Sequence, residues 1–177
     1  GIEFIRKAAE CDVKPMSGID CRDGVQQQFV SIAKTNDGFH EINDFLSKTL
    51  HQNECIPELA PDFKDVFTIY PFEKKKEYLL RENEFIGVRI SDIPYIRLKN
   101  CDTSKMVVLH TTTFWNKKDF NAHRLLRAID KNVLLSKLSK DEQGSESHRM
   151  IQVSEVTTAF SEYPEIILNT ERVLDEP

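Results

Sequence analysis

One stretch, Val107 to Asp130, limits the choice of folds more than any other. It reads VVLHTTTFWNKKDFNAHRLLRAID, a β-branched apolar run that stops at Asn116 and restarts with helical spacing. Asn116 occupies the place of a helix N-cap, and Asp119 puts a carboxylate into the first turn, where the helix dipole favours negative charge. Ala122, Leu125, Leu126 and Ile129 then recur at i, i+3, i+4 and i+7, the spacing of an apolar helical stripe. A strand therefore feeds a helix. The loop His110-Thr111-Thr112-Thr113 follows the carboxyl end of that strand, where parallel α/β folds place their chemistry. If the stripe is buried, Leu126→Ala should cost on the order of 2–5 kcal/mol, and Arg124→Ala should be mild.

The same order repeats along the chain. Ile2, Ile5 and Ala9 predict an opening helix over Ile2 to Glu10. Gln28 to Lys34 alternates like a half-buried strand, and Thr35-Asn36-Asp37-Gly38 supplies turn and cap chemistry for a helix carrying Phe39, Ile42, Phe45, Leu46 and Leu50. Pro57 and Pro61 bracket a loop, after which Val66 to Tyr70 reads as a short buried strand closed by Pro71. Glu73 to Glu82 is a charged helix candidate whose Lys74, Lys75 and Lys76 form a solvated face. Phe85 to Ile90 is a further strand, and Pro94 to Leu98 reads as a short strand or extended edge. Ser136 to Met150 is a polar connector, Glu155 to Phe160 a short helix, and Tyr163-Pro164 opens a last helix with proline at its first position. Strands Val30 to Ala33, Val66 to Tyr70, Phe85 to Ile90 and Val107 to Leu109 are expected in one mainly parallel sheet. Helices Phe39 to Leu50 and Lys117 to Ile129 should cover its outside.

A chain of 177 residues that is 40% hydrophobic has enough apolar surface for one core. Its net charge of -5 argues against a self-sufficient nucleic-acid binder. Arg124, Arg127 and Lys131, with Arg97 and Lys99, could form a basic face, read here as solvated. The apolar runs are short for a bilayer and the first ten residues lack a signal-peptide core, so a cytoplasmic protein is expected. Cys11, Cys21, Cys55 and Cys101 form no C-x-x-C pair and are expected to be reduced thiols. No G-x-S-x-G, Walker, dinucleotide or H-E-x-x-H motif occurs.

Four segments, in order, resemble one family. NKKDFNAHRLLRAID is similar to the closing helix of the PHP (polymerase and histidinol phosphatase) domain of bacterial DNA polymerase III alpha subunits, with Asp119, Ala122, His123, Leu125, Leu126 and Ile129 on the pattern. IAKTNDGFHEINDFLS resembles an internal strand-helix segment of that domain. Val13-Lys14-Pro15-Met16 with Gly18-Ile19-Asp20 resembles its second strand, and FSEYPEIILNTERVLDEP resembles the segment that leads toward the polymerase palm. The resemblance implies an α/β fold, an incomplete irregular (β/α) barrel of the PHP type, whose first strand and HxH metal motif would precede Gly1. It divides the chain into a partial PHP domain, residues 1–135, and a connector with C-terminal helices, residues 136–177.

The family gathers His, Asp, Glu and Cys ligands at strand ends to hold two or three cations. On this resemblance the metal-site positions are degenerate. Asp20 stands for a longer Glu, Gln28 for a His, and Thr111 and Thr113 for an Asp and a His. Neutral hydroxyls do not supply the charge that holds such a cluster. Asp20 and His110 could form a residual polar site, although a lone strand-end histidine is more often a hydrogen-bonded structural residue, and His110 is expected to point away from that site. The resemblance thus implies no metal, cofactor or catalytic residue in this segment, since the Mg-dependent carboxylates of the parent polymerase lie in its palm. The expected partners are the rest of the alpha chain and a proofreading exonuclease, with DNA met only through the parent protein and no membrane. The rival reading is a metal-dependent 3′-5′ exonuclease or phosphoesterase, and a distant third is a stand-alone α/β binding module.

Overall fold

Local chemistry sets most of the element boundaries. The computed structural model describes residues 2–24, 26–74, 80–140 and 142–177. Helix α1 spans Ile2–Glu10, strand β1 Gly18–Asp23, β2 Gln26–Ala33 and helix α2 Asn36–His51. Strands β3 (Val66–Pro71) and β4 (Glu84–Val88) follow, then helix α3 (Ile93–Lys99), β5 (Met106–Val108), α4 (Lys117–Asp130), α5 (Val153–Ala159) and α6 (Pro164–Asp175). Thr35 caps α2 by accepting the Gly38 N–H at 3.1 Å. Asn116 caps α4 as expected, its Oδ1 accepting from the Lys118 and Asp119 amides at 2.8 and 3.3 Å. Half of the expected helix over Glu73 to Glu82, residues 75–79, falls outside the described residues; Phe72–Lys74 form a short 3-10 turn and residues 80–82 are not helical.

The five strands make one open sheet in the order β1-β2-β3-β4-β5, a mixed sheet not closed into a barrel. Strands β3, β4 and β5 run parallel. The expectation of a mainly parallel sheet fails at the other side, where β1, β2 and β3 pair antiparallel. Two connections explain this. β1 and β2 are joined by a tight turn at Gly24, whose φ of 59° suits glycine. α2 and the loop behind it leave and return at the same end of the sheet. Ala33 pairs with Val66, and the Lys34 amide donates to the Asp65 carbonyl at 2.9 Å.

One face of the sheet buries Phe29, Tyr70, Ile86, Val88 and Met106 beneath Ile96 of α3, Phe160 at the end of α5, and Ile166 of α6. The other face buries Phe67, Ile69, Phe85, Val107 and Leu109 with Val173 of α6. α6 therefore contributes to both faces as it runs along the β5 edge. It also satisfies that edge: Thr170 Oγ1 accepts the Val108 N–H at 2.8 Å, and Asn169 Nδ2 donates to the Ser104 and Met106 carbonyls at 3.1 and 3.0 Å. Side chains thus occupy backbone groups that a sixth strand would otherwise take.

Two expectations are corrected here. Pro94 to Leu98 belongs to α3, because proline at the start of a helix lacks only an N–H that would have no intrahelical partner. The stripe on α4 is not buried: Leu125, Leu126 and Ile129 are 51%, 65% and 66% exposed. α4 turns a different face inward, with Phe120 and Ala128 buried. Arg124 Nε donates to Gln143 Oε1 at 2.7 Å and Arg127 Nε to the Glu142 carbonyl at 3.3 Å, so that face docks on the following loop. Buried Leu138 lies in this loop, where the Gln143 amide donates to its carbonyl at 2.7 Å. Arg97, from the expected basic face, pairs with Glu162, and Arg127 pairs with Asp130. No helix among the described residues is long and apolar enough to cross a membrane.

Candidate functional site

The carboxyl ends of the parallel strands β4 and β5 open into a cleft of about 350 Å³. Arg89, Ile90 and Ser91 come from the end of β4, and His110 and Thr111 from the end of β5. The third wall is the segment with Ser147, His148, Arg149, Ile151 and Glu155. Backbone bonds lace that wall to the loop after β5. The Thr113 and Phe114 amides donate to the His148 carbonyl at 2.8 and 3.3 Å, and the Met150 amide donates back to Phe114 at 2.8 Å. Phe114 anchors the junction, its ring 5.2 Å from that of Phe120 and 6.3 Å from that of His123.

Two arginines and two histidines line the cleft, and each arginine has a carboxylate partner. Arg89 reaches Glu73 and Gln27 Oε1 at 3.4 Å, while its backbone N–H is held by Asp92 at 2.8 Å. Arg149 pairs with Glu155 and donates to the Met150 carbonyl. His148 is held below the ordinary histidine value, first by burial and then by the positive neighbours Arg89, Arg22, His110 and His123. A neutral imidazole at ordinary pH is the consequence.

The sequence-nominated residues separate into two groups. His110 and Thr111 line the cleft. His110 Nε2 lies 2.8 Å from the Arg149 carbonyl, a hydrogen bond that helps fix the third wall. Asp20 sits on the edge strand β1, where Arg22 binds Oδ2 at 2.7 Å and Gln27 Nε2 donates to Oδ1 at 2.9 Å. Gln27 also links Asp20 to Arg89, so this network approaches the cleft without placing the carboxylate on its wall. Gln28 is buried on β2, at the irregularity where Cys21 pairs with Phe29 and Arg22 with Gln27. Thr113 contributes its backbone amide to the junction, and its side chain is exposed.

No protein-family model matches this chain, and no curated protein matches it. Its chemistry is therefore read from the side chains in place. Among the described residues, no group of three or more His, Cys, Asp or Glu side chains is arranged to hold a metal ion. The positions that correspond to the resembled family's metal site hold Asp20, Gln28, Thr111 and Thr113. Asp20 is engaged by a guanidinium, and the cleft walls bring arginines where a cation cluster needs carboxylates. The four cysteines are free thiols. Burial and adjacent Asp20 push the Cys21 thiol up to about 11, against a smaller opposing effect of Ser31, so it is no ready nucleophile.

Arg89, His148, Arg149 and Glu155 were not singled out from sequence. Three of them lie in stretches read as a connector or a short helix, which the bonds between residues 113–114 and 148–150 and that of His110 to the Arg149 carbonyl bring to the strand ends.

Proposed function

We propose that this chain is a degenerate, metal-free PHP module of a replicative DNA polymerase III alpha subunit. Its role is to support the polymerase chain and present a docking face to a proofreading exonuclease. The observation that carries this reading is the pairing of Asp20 with Arg22 and Gln27, which spends on protein donors the carboxylate that the resemblance places in a metal site. Phosphodiester hydrolysis by the chemistry of that family needs clustered cations to lower the pKa of water and neutralise the transferring phosphoryl group. Guanidiniums can bind a phosphate, but they neither ligate nor activate water.

The α/β architecture supports the reading at the level of fold class. On this reading the finer form is an incomplete PHP barrel, DNA synthesis and its Mg belong to the palm of the parent protein, and the protein works in the cytoplasm. The rival metal-dependent phosphoesterase requires Asp20 to exchange Arg22 for a cation, and a stand-alone binding module remains the third alternative. Surface plasmon resonance between the protein carrying this chain and the proofreading exonuclease of the same cell tests the scaffold role. Saturable binding, unchanged by EDTA, is expected. No binding, or binding lost with EDTA, contradicts it.

A further inference from the structure

The outer face of α4 is apolar and has no cover. Ala122, Leu125, Leu126 and Ile129 line it, and Trp115 before the N-cap and Val133 and Leu134 beyond the last turn are exposed as well. A run of exposed apolar side chains this long marks an interaction site. We propose that it pairs with the α4 of a second copy of this chain, the two helices lying antiparallel about a twofold axis. The inference goes beyond the scaffold reading and does not depend on it, since it rests on the facing of α4 alone.

The stripe has no inward alternative. Phe120 and Ala128 fill the buried face of α4, and Arg124 and Arg127 tie the helix to the following loop. Asn132, at a φ of 52°, turns the chain back at the helix end, its amide and that of Val133 donating to the Ile129 and Ala128 carbonyls at 3.0 and 2.9 Å. Val133 is thereby held beside the last turn, at the end of the stripe.

The order of residues along the face selects a second copy as the occupant. Lys118 stands one turn before Ala122, and Asp130 one turn after Leu126, so the face reads cation, small, large, anion. Turned end for end, this pattern meets itself with every member opposite its complement. Ala122 of each copy faces Leu126 of the other, and Lys118 of each faces Asp130 of the other. A twofold interface requires such self-complementarity, because every residue pair in it occurs twice. The same register brings Trp115, just before one helix, toward Val133, just after the other, an aromatic anchor against an aliphatic wall. Asp130 is 61% exposed and bonds Arg127 of its own helix at 3.2 Å through one oxygen. The other oxygen can accept from a lysine.

The 14 residues of α4 make a helix about 21 Å long. Stable dimers bury about 800 Å² on each partner, and a single helix extended at its ends by Trp115 and residues 133–135 lies at the small end of that class. Association in the micromolar range is therefore expected.

Sedimentation velocity of the 177-residue protein between about 1 and about 200 µM tests this, in reducing buffer so that exposed Cys11 and Cys55 cannot cross-link copies. A reversible shift from monomer to dimer is expected, with monomer prevailing at the dilute end. Leu126→Asp should abolish it. Lys118→Asp and Asp130→Lys should each raise Kd roughly fivefold to tenfold, and the double exchange should restore it. Circular dichroism establishes that each variant is folded; if Leu126→Asp is not, Ile129→Asp takes its place. A protein that stays monomeric throughout assigns the stripe to a partner of other sequence and overturns the proposal. A dimer indifferent to Leu126→Asp, or single charge reversals that the double exchange does not repair, overturns it equally.

Discussion

Arg22 Nη2 lies 2.7 Å from Asp20 Oδ2 on the same edge strand, two residues away. Both side chains are more than a third exposed, so the pair stabilises the fold only slightly despite its short distance. Asp20→Asn should therefore lower stability by less than about 1 kcal/mol in a urea melt, with or without EDTA. A loss of several kcal/mol that appears only without EDTA would mark Asp20 as a metal ligand.

The facing of α4 reverses the ranking expected from its apolar stripe. Leu126 is exposed and leaves no cavity when shortened, so Leu126→Ala should change stability by less than about 1 kcal/mol. Phe120 is buried against Phe114, and Phe120→Ala should cost on the order of 3–5 kcal/mol. Denaturant melts that rank the two the other way would place the stripe in the core.

Gly38 sits where α2 crosses the start of β3. A Cβ added there falls 1.9 Å from the Asp65 carbonyl oxygen, a backbone atom that cannot swing aside. Gly38→Ala should destabilise by about 1–3 kcal/mol through overpacking. The opposite sign, the gain of up to about 1 kcal/mol usual for alanine over glycine in a helix, would mean that the helix and strand are farther apart.

His148 gives the fold a pH dependence of known sign. Burial and the positive groups around it, Arg89, Arg22, His110 and His123, keep its folded value below the usual 6.5, with Arg149 and Glu155 on the same wall. Above that value both the folded and unfolded chains leave the imidazole neutral. As the pH falls through it, the unfolded chain takes up the proton first, and stability is lost. His148→Gln should flatten the fall in Tm between about pH 8 and about pH 5.5. An equally steep fall in the variant would show that other groups control it.

Elements with strong local chemistry were legible in the sequence. Val66 to Tyr70 is an apolar run closed by Pro71, and Asn116 and Pro164 mark helix starts that the structure keeps. The facing of α4 was not legible, because Phe120, Arg124, Arg127 and Ala128 also follow helical spacing. Phe114 and the loop with Leu138 and Gln143 select that face over the leucine stripe. Pro94 misled because proline suits a strand edge and a first helical turn equally. Of the cleft, the strand-end loop with His110 and Thr111 could be read locally. Arg149 and His148 reach it through a parallel bridge between Phe114 and Arg149, a pairing across 35 positions that no local spacing encodes.

The central claim of the proposal is a metal-free scaffold module in which Asp20 is held by Arg22 and Gln27 in place of a cation. Its most direct test is elemental analysis of the purified protein after equilibration with Zn²⁺ and Mn²⁺, read together with a 3′-5′ exonuclease assay on the same sample. The account predicts substoichiometric metal and no hydrolysis above the no-protein blank. Stoichiometric metal with exonuclease activity, both abolished by Asp20→Ala, would contradict it.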